Sequence, residues 1–207
     1  MTFPVGESSI YYYAPFIWSN GGDLISEDGL TADGYFNSDE KCGGVPVLQR
    51  TGGKQVYVSN THLENLFESG RAAFKFDGAW EVNTIYQSYS DIDLGVAPYI
   101  VSDNWDGGRY TPTGSWAYAA TTKTEHIKAA TELVKWMSGV DSGILLYEKT
   151  KSMPSTYAAY DQITTFEEDE NYKALYEQLR DYGHPRPKTL FIRRSAHRSS
   201  RFWRTLD

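Results

Sequence analysis

The segment from Thr122 to Gly139 carries the strongest folding signal in the sequence. Thr122 and Glu125 have the spacing of a capping box, in which each side chain satisfies an unpaired backbone N–H at a helix start. Apolar residues then recur at helical spacing as far as Met137, and Gly139 suits the left-handed backbone that ends a helix. The pattern predicts an amphipathic helix, which needs an apolar surface to pack against.

Further helices and strands are predicted to alternate with this one. A second capping box at Thr61 and Glu64 opens a shorter helix that Gly70 closes, and a third helix contains Tyr172 and stops at Gly183. Strand candidates are the short apolar runs Ala72 to Phe76, Leu94 to Ala97 and Trp116 to Ala120. Helices that alternate with short strands are typical of an α/β fold.

The net charge of −7 conceals an uneven distribution of charge. Seven basic residues and one acid lie between His184 and Asp207, so this stretch carries +6. The rest of the chain keeps 13 basic and 26 acidic residues and carries −13. An acidic body of this kind repels phosphate backbones, so we expect no nucleic-acid partner for it.

Several classes of protein are disfavoured by the absence of their signals. No apolar run approaches the roughly 18 residues that a membrane helix needs. The first residues, MTFPVG, have no basic flank or apolar stretch, so no export signal is expected in this chain. The single Cys42 excludes an internal disulfide and says nothing firm about redox compartment.

Metal and cofactor chemistry is not expected either. The four histidines are scattered singly, and no phosphate-binding glycine loop or Gly-x-Ser-x-Gly elbow is present. We therefore expect no cofactor and no metal. Paired carboxylates such as Asp77 and Glu81 leave open a hydrolase that splits glycosidic bonds.

Aromatic residues stand beside polar turns along much of the chain. They make up 15% of the sequence, and sixteen of them are tyrosines. Sugars have C–H faces that stack on aromatic rings and hydroxyls that bond to Asp, Asn, Ser and Arg. The stretches from Asp77 to Trp80 and from Gly114 to Tyr118 combine both kinds of group. Packing of these aromatic rings within the protein remains the competing interpretation.

An ordered set of segments between about Ser8 and Lys188 resembles one known family. The segments are FIWSNGGDL from Phe16, FNSD from Phe36, LFESGRAAF from Leu66, DGAW from Asp77, GSWAY from Gly114, KAATELVKWMS from Lys128 and MPS from Met153. In this order they are similar to the extracellular solute-binding proteins of carbohydrate ABC importers, the maltose-binding-protein-like group.

The resemblance implies an α/β, periplasmic-binding-protein-like (type II) fold of two lobes that close on a sugar. It implies a substrate-binding subunit that delivers a sugar or oligosaccharide to ABC permease subunits in the membrane, with no bond-making chemistry and as a monomer. It also implies that the full-length family member is periplasmic or extracellular, where it is a membrane-anchored lipoprotein. Closure requires that the ligand bind the closed state better than the open one.

Eight residues are the candidate sugar contacts. Five are the principal candidates, with the tryptophans stacking and the others hydrogen-bonding: Trp80, Asp77, Trp116, Ser115 and Trp18. Three more are chosen for their loops: Tyr11, Tyr35 and Arg109. Two alternatives stay open, namely a carbohydrate-active hydrolase that uses Asp77 or Glu81 and a truncated product without binding activity.

Compared with the family, the chain resembles an incomplete fold, mainly the C-terminal lobe with the N-terminal lobe largely missing. By analogy, residues 1–98 and 150–188 belong to the C-terminal lobe, and residues 99–149 return to the N-terminal lobe. We therefore expect the helix from Thr122 to Ser138 to be less well anchored than its local signals suggest.

Residues 189–207 form a basic tail that departs from the family pattern. After the residues that correspond to Arg186-Pro187-Lys188, the family usually continues with a Tyr-Pro-Glu-(Ile/Val)-Ser stretch. The codons for Thr189 to Ala196 permit a similar peptide in another reading frame. One hypothesis is therefore a frameshift. The alternative is a basic interaction tail in which Phe191, Phe202 and Trp203 are interleaved with arginines.

Overall fold

The computed structural model describes residues 2–4, 9–35, 57–59, 65–101, 108–114 and 116–187. The chain divides into two compact units, each made of separate stretches of sequence. Unit 1 consists of Met1–Asp77, Ala97–Thr113 and Glu177–Asp207, and unit 2 consists of Gly78–Val96 and Gly114–Tyr176.

Helices and short strands alternate along the described residues. The helices are α1 (Ser9–Trp18), α2 (Trp80–Ser88), α3 (Ile127–Met137), α4 (Val140–Thr150), α5 (Tyr157–Tyr160), α6 (Thr165–Glu168) and α7 (Glu170–Tyr182). The strands are β1 (Thr2–Pro4), β2 (Tyr57–Ser59), β3 (Thr111–Thr113) and β4 (Gly183–Pro185). Strands β1 and β2 pair in parallel, and so do β3 and β4.

Unit 1 is built around α1, which is buried from Tyr12 to Trp18. Ala14, Ile17 and Trp18 form a core with Leu24, and Tyr110 packs against it. A helix that is apolar around most of its circumference is suited to burial on several sides. The sequence pattern does not predict α1, because a helix of this kind lacks the polar face that marks an amphipathic pattern.

Unit 2 has an aromatic core supplied by its later helices. The rings of Tyr147, Tyr160, Phe166, Tyr172 and Tyr176 lie with centroids between 4.6 and 6.4 Å apart in the contacting pairs. These spacings are in the range at which aromatic pairs add stability beyond the area they bury. We refer to these five residues as the unit 2 aromatic cluster. Packing thereby accounts for four of the sixteen tyrosines.

The helix α3 is the amphipathic helix that the sequence predicts, but none of its residues is buried. Ile127, Leu133 and Trp136 are all more than half exposed. The helix also begins later than the capping box indicates. Thr124 accepts a hydrogen bond from the backbone N–H of His126, and His126 precedes the helix without a capping side-chain bond. The capping-box prediction is therefore wrong, although the helix is confirmed. It ends at Met137, close to the predicted stop, but Gly139 has a φ of −84° and not the left-handed backbone that the sequence predicts.

The predicted third helix is confirmed by α7, which ends at Tyr182 immediately before Gly183. The strand prediction at residues 94–97 is wrong. Asn171 of α7 accepts a hydrogen bond from the N–H of Val96 at 2.7 Å and donates one to the carbonyl of Leu94 at 2.8 Å. One side chain thus occupies backbone groups that a neighbouring strand would use.

The other local predictions have mixed outcomes. Residues 72–76 and 116–120 form no strand in the part of the chain that the structure describes. Residues 65–70 form turns, with positive φ at Asn65 and Gly70, and residues 61–64 lie outside the described residues. Cys42 and the basic tail at residues 189–207 also lie outside them. The lobe assignment of residues 1–98, 99–149 and 150–188 stays a prediction.

Candidate functional site

Trp80 is the first residue of α2, and 55% of the residue is exposed. The ring lies directly over the backbone of Gly78, where a Cβ would collide with three of the ring carbons. Only glycine leaves room for this close approach. The backbone therefore supports one part of the indole while more than half of the residue stays open to solvent. An apolar surface held in this way can stack on the C–H face of a sugar.

Asp77 lies at the end of the first stretch of unit 1, and its neighbours include Lys75 and Tyr12. Its Oδ2 is 3.3 Å from the Nζ of Lys75, and its carboxylate accepts a hydrogen bond from the hydroxyl of Tyr12. Burial, together with the negative charge of Asp77, raises the pKa of Tyr12. The Tyr12 hydroxyl therefore stays protonated and acts as a donor. About a quarter of the Asp77 side chain remains exposed.

Tyr99 has tyrosines and a carboxylate as its neighbours in unit 1. Burial raises the pKa of the Tyr99 hydroxyl, and its neighbours Tyr11, Tyr12 and Asp77, which are negative when ionised, raise it further. Its ring also contacts Phe16, with 5.7 Å between centroids. Tyr11 and Asp77 are candidates predicted from the sequence, whereas Tyr12 and Tyr99 are not. The run of three tyrosines at residues 11–13 is the signal that points to Tyr12.

Tyr11 is fixed at both ends of its side chain. Its hydroxyl donates to the carbonyl of Pro112 at 3.1 Å, and the Arg186 guanidinium lies 5.9 Å from the ring centroid. Burial raises the pKa of Tyr11, and the charge of Arg186 partly opposes that shift. The ring edge packs against Tyr12 with 5.6 Å between centroids. Contacts at both the hydroxyl and the ring therefore hold Tyr11 in place beside Tyr12.

Trp18 belongs to the core of unit 1 and is buried. Its Nε1 donates to the Oδ1 of Asp23 at 3.3 Å, and its ring contacts the His184 ring at 4.4 Å between centroids. These contacts show that Trp18 packs within the core of unit 1, as expected if its aromatic ring serves packing and not ligand binding. Its role as a ligand contact stays a prediction.

The remaining candidates lie in different places. Arg109 lies over the ring of Tyr182 at 5.7 Å, and its buried Nε has no hydrogen-bond partner among the described residues. Tyr35 is half-buried at the end of a described stretch. Trp116 is almost fully exposed, and Ser115 lies outside the described residues. Unit 1 thus contains Tyr11, Trp18, Tyr35, Asp77 and Arg109, and unit 2 contains Trp80 and Trp116.

The described part of the chain contains neither a metal-ligand cluster nor a helix suited to cross a membrane. Within residues 2–4, 9–35, 57–59, 65–101, 108–114 and 116–187, no three His, Cys, Asp or Glu side chains are grouped as metal ligands would be. The helices in those ranges lack the combined length and apolar character that a bilayer crossing requires.

A family model described as bacterial extracellular solute-binding protein matches residues 3–143. The chain belongs to this family, and the resemblance found in the sequence is confirmed. Among curated proteins, none has a sequence that matches significantly.

Two solved structures have a similar fold. One is the GacH receptor of Streptomyces glaucescens, solved unliganded and with acarbose, at a TM-score of 0.74 and 20% identity. The other is the maltose/maltodextrin-binding domain MalE of Bdellovibrio bacteriovorus bound to maltotriose, at a TM-score of 0.67 and 18% identity. The match to GacH covers 99% of this chain and 59% of the GacH chain. The match to MalE covers 100% of this chain and 60% of the MalE chain. The predicted α/β, periplasmic-binding-protein-like fold is confirmed, and this chain corresponds to part of it.

Proposed function

We propose that this chain is part of the substrate-binding subunit of an ABC importer. The subunit captures a sugar or oligosaccharide between two lobes and delivers it to permease subunits in the membrane. Family membership supports a solute-binding role outside the cytoplasm. The similar structures of known ligand bind acarbose and maltotriose, which supports a saccharide as the solute.

The observation that carries the proposal is the setting of Trp80. Its indole is supported by the Gly78 backbone and remains more than half exposed at the start of a helix. Covering an exposed indole removes apolar surface from water, which favours binding of a ligand that has an apolar face. A sugar ring covers such a surface with its C–H face, and its hydroxyls remain available to polar groups.

The proposed function is binding without catalysis, by a monomer that needs no cofactor. Recognition by stacking and by hydroxyl hydrogen bonds requires no nucleophile and no metal. The hydrolase alternative requires Asp77 or Glu81 to act on a glycosidic bond, and no described contact favours that role over recognition. The family to which the chain belongs is defined by solute binding.

The proposal includes the assignment of residues 99–149 to the N-terminal lobe of a longer binding protein. The exposed apolar face of α3 supports this assignment, because an amphipathic helix normally buries that face. The length relation to the two similar structures supports it as well, since this chain spans about three-fifths of each.

A titration of the full chain with maltotriose tests the sugar-binding role. Isothermal calorimetry gives the Kd, and chromatography of the recovered ligand detects cleavage. We expect binding without cleavage, and we expect Trp80→Ala to raise the Kd by about fivefold to 150-fold, since stacking on an aromatic ring contributes about 1–3 kcal/mol.

The matched control for this experiment is Trp136→Ala. Trp136 is 56% exposed, so it has nearly the same exposure as Trp80, but it lies on α3 and is not a candidate contact. We expect its Kd to stay within about twofold of wild type. Equal losses in the two variants would contradict the assignment of Trp80. Cleavage of the sugar would favour the hydrolase, and no binding of maltotriose or acarbose would favour the truncated product.

A further inference from the structure

A nearly buried carboxylate lies close to Asp77 in unit 1. The side chain of Glu68 is 4% exposed, and its Oε1 is 2.7 Å from the Nζ of Lys75. A buried charge is costly unless an opposite charge compensates it. Lys75 is therefore held at one position by a partner that has little access to water.

The turn that precedes Lys75 explains how Glu68 reaches it. The backbone N–H of Arg71 and that of Ala72 both donate to the carbonyl of Leu66, at 2.8 and 2.9 Å. Leu66 and Ala72 are buried, and Gly70 has the positive φ that the turn requires. The chain thus reverses after Glu68 and brings the following residues back alongside it.

Lys75 connects the buried carboxylate to the candidate ligand contact. The same Nζ that contacts Glu68 lies 3.3 Å from the Oδ2 of Asp77, and Tyr12 donates its hydroxyl to the Asp77 carboxylate. All four residues belong to unit 1. They form a chain of polar contacts from Glu68 through Lys75 and Asp77 to Tyr12, which we call the carboxylate relay.

We propose that Lys75, held by Glu68, is a positioning residue that presents the Asp77 carboxylate to the hydroxyl groups of a sugar. This inference rests on the proposed function, because it requires Asp77 to contact the ligand. Nothing in the sequence motifs selects Lys75 or Glu68 for this role, since their importance depends on contacts made in the folded unit.

The chemistry of the carboxylate explains why such positioning matters. An ionised carboxylate accepts about four hydrogen bonds, and Lys75 and Tyr12 use part of that capacity. About a quarter of the Asp77 side chain is exposed, so the hydroxyls of a sugar can reach the carboxylate. Because two partners already hold the side chain, the ligand does not have to order it, and less binding free energy is lost to side-chain entropy.

A double-mutant cycle with maltotriose tests whether Lys75 acts through Asp77. We expect Lys75→Met to raise the Kd about tenfold in the otherwise wild-type chain. In the Asp77→Asn background, the same substitution is expected to change the Kd less than twofold. Lys75→Arg keeps the positive charge and is expected to restore the Kd to within about threefold. Additive effects of Lys75→Met and Asp77→Asn would overturn the proposal.

Lys135→Met is the matched control for loss of a lysine ion pair. The Nζ of Lys135 lies 2.8 Å from the Oε1 of Glu132, a distance like that of the relay, but both side chains are exposed. We expect it to leave the Kd within twofold, because exposed pairs contribute little. A loss equal to that of Lys75→Met would overturn the proposal. If Lys75→Met does not fold, Glu68→Gln takes its place in the cycle with the same expected coupling to Asp77.

A measurement without ligand separates failure of the relay from failure of the proposed function. The ¹³Cγ signal of Asp77 reports its hydrogen bonds and charge partner in the full chain. We expect Glu68→Gln and Lys75→Arg to shift this signal and Lys135→Met to leave it in place. An unchanged signal in both relay variants overturns the relay, whereas absence of maltotriose and acarbose binding by the wild type overturns the ligand role of Asp77 and with it the proposal.

Discussion

Two tyrosines of the unit 2 aromatic cluster allow the same atom to be removed from two different settings. The buried hydroxyl of Tyr160 donates to the carbonyl of Pro154 at 3.0 Å. The hydroxyl of Tyr172 is also buried but has no hydrogen-bond partner among the described residues. Tyr160→Phe and Tyr172→Phe keep the ring and remove one oxygen, so they isolate the effect of that hydrogen bond on the free energy of unfolding.

The two substitutions are expected to change stability in opposite directions. Tyr160→Phe loses a hydrogen bond and leaves the buried Pro154 carbonyl without this donor, which costs about 1–2 kcal/mol. Tyr172→Phe removes a hydroxyl whose desolvation is not compensated, so it raises the free energy of unfolding by about 1 kcal/mol. With a urea m-value of about 2 kcal/mol/M, the midpoints shift by about −0.5 to −1 M and +0.5 M.

Urea unfolding followed by far-UV circular dichroism and by fluorescence measures both shifts. The m-value must stay the same in the three proteins, because a changed m-value indicates a changed denatured or native state. If Tyr172→Phe lowers the midpoint as much as Tyr160→Phe does, then the Tyr172 hydroxyl makes a favourable interaction and the reasoning is refuted. Equal stability of all three proteins would refute it as well.

Two further predictions concern the dynamics of α3 and the pH dependence of stability. Hydrogen–deuterium exchange followed by mass spectrometry tests the anchoring of α3. Its amides are expected to exchange at least about tenfold faster than those around the buried Val82 and Ile85 of α2, because α3 buries no residue. Equal protection of the two helices would contradict the weak anchoring of α3. Burial raises the pKa of Tyr13 to about 12 from an ordinary value of 10.0. The neutral form is favoured in the folded state, so this stabilisation is complete below pH 10 and is lost as the pH rises towards 12. Tyr13→Phe should therefore lose less stability than wild type between pH 9 and 11.5 in urea unfolding, and equal losses would exclude Tyr13 as a cause.

Local pattern was sufficient for some elements because their signals do not depend on distant contacts. The helix α7 follows from apolar spacing around Tyr172 and from Gly183 just beyond its end. The helix α1 was missed, since it is buried on most sides and has no polar face to create a period. The strand expected at residues 94–97 was wrong because Asn171, far away in the sequence, supplies the hydrogen bonds.

The candidate site, like the fold, was predictable from the sequence only in part. The stretch from Asp77 to Trp80 suggests a carboxylate and an indole at a helix start, and α2 does begin at Trp80. Glu68, Lys75 and Tyr12 were not selected, because the contacts among them and Asp77 depend on the path of the folded chain. No spacing rule connects Tyr12 with Asp77.

The sequence by itself determined the family, the α/β class and the amphipathic character of α3, because ordered motifs and helical periodicity are local properties of a chain. Only the tertiary structure decided what each aromatic or apolar group faces. Trp18 is buried against His184, Trp80 is exposed over Gly78, and α3 has an apolar face with no buried residue. The physical reason is that burial requires a covering surface, and that surface comes from residues distant in the sequence.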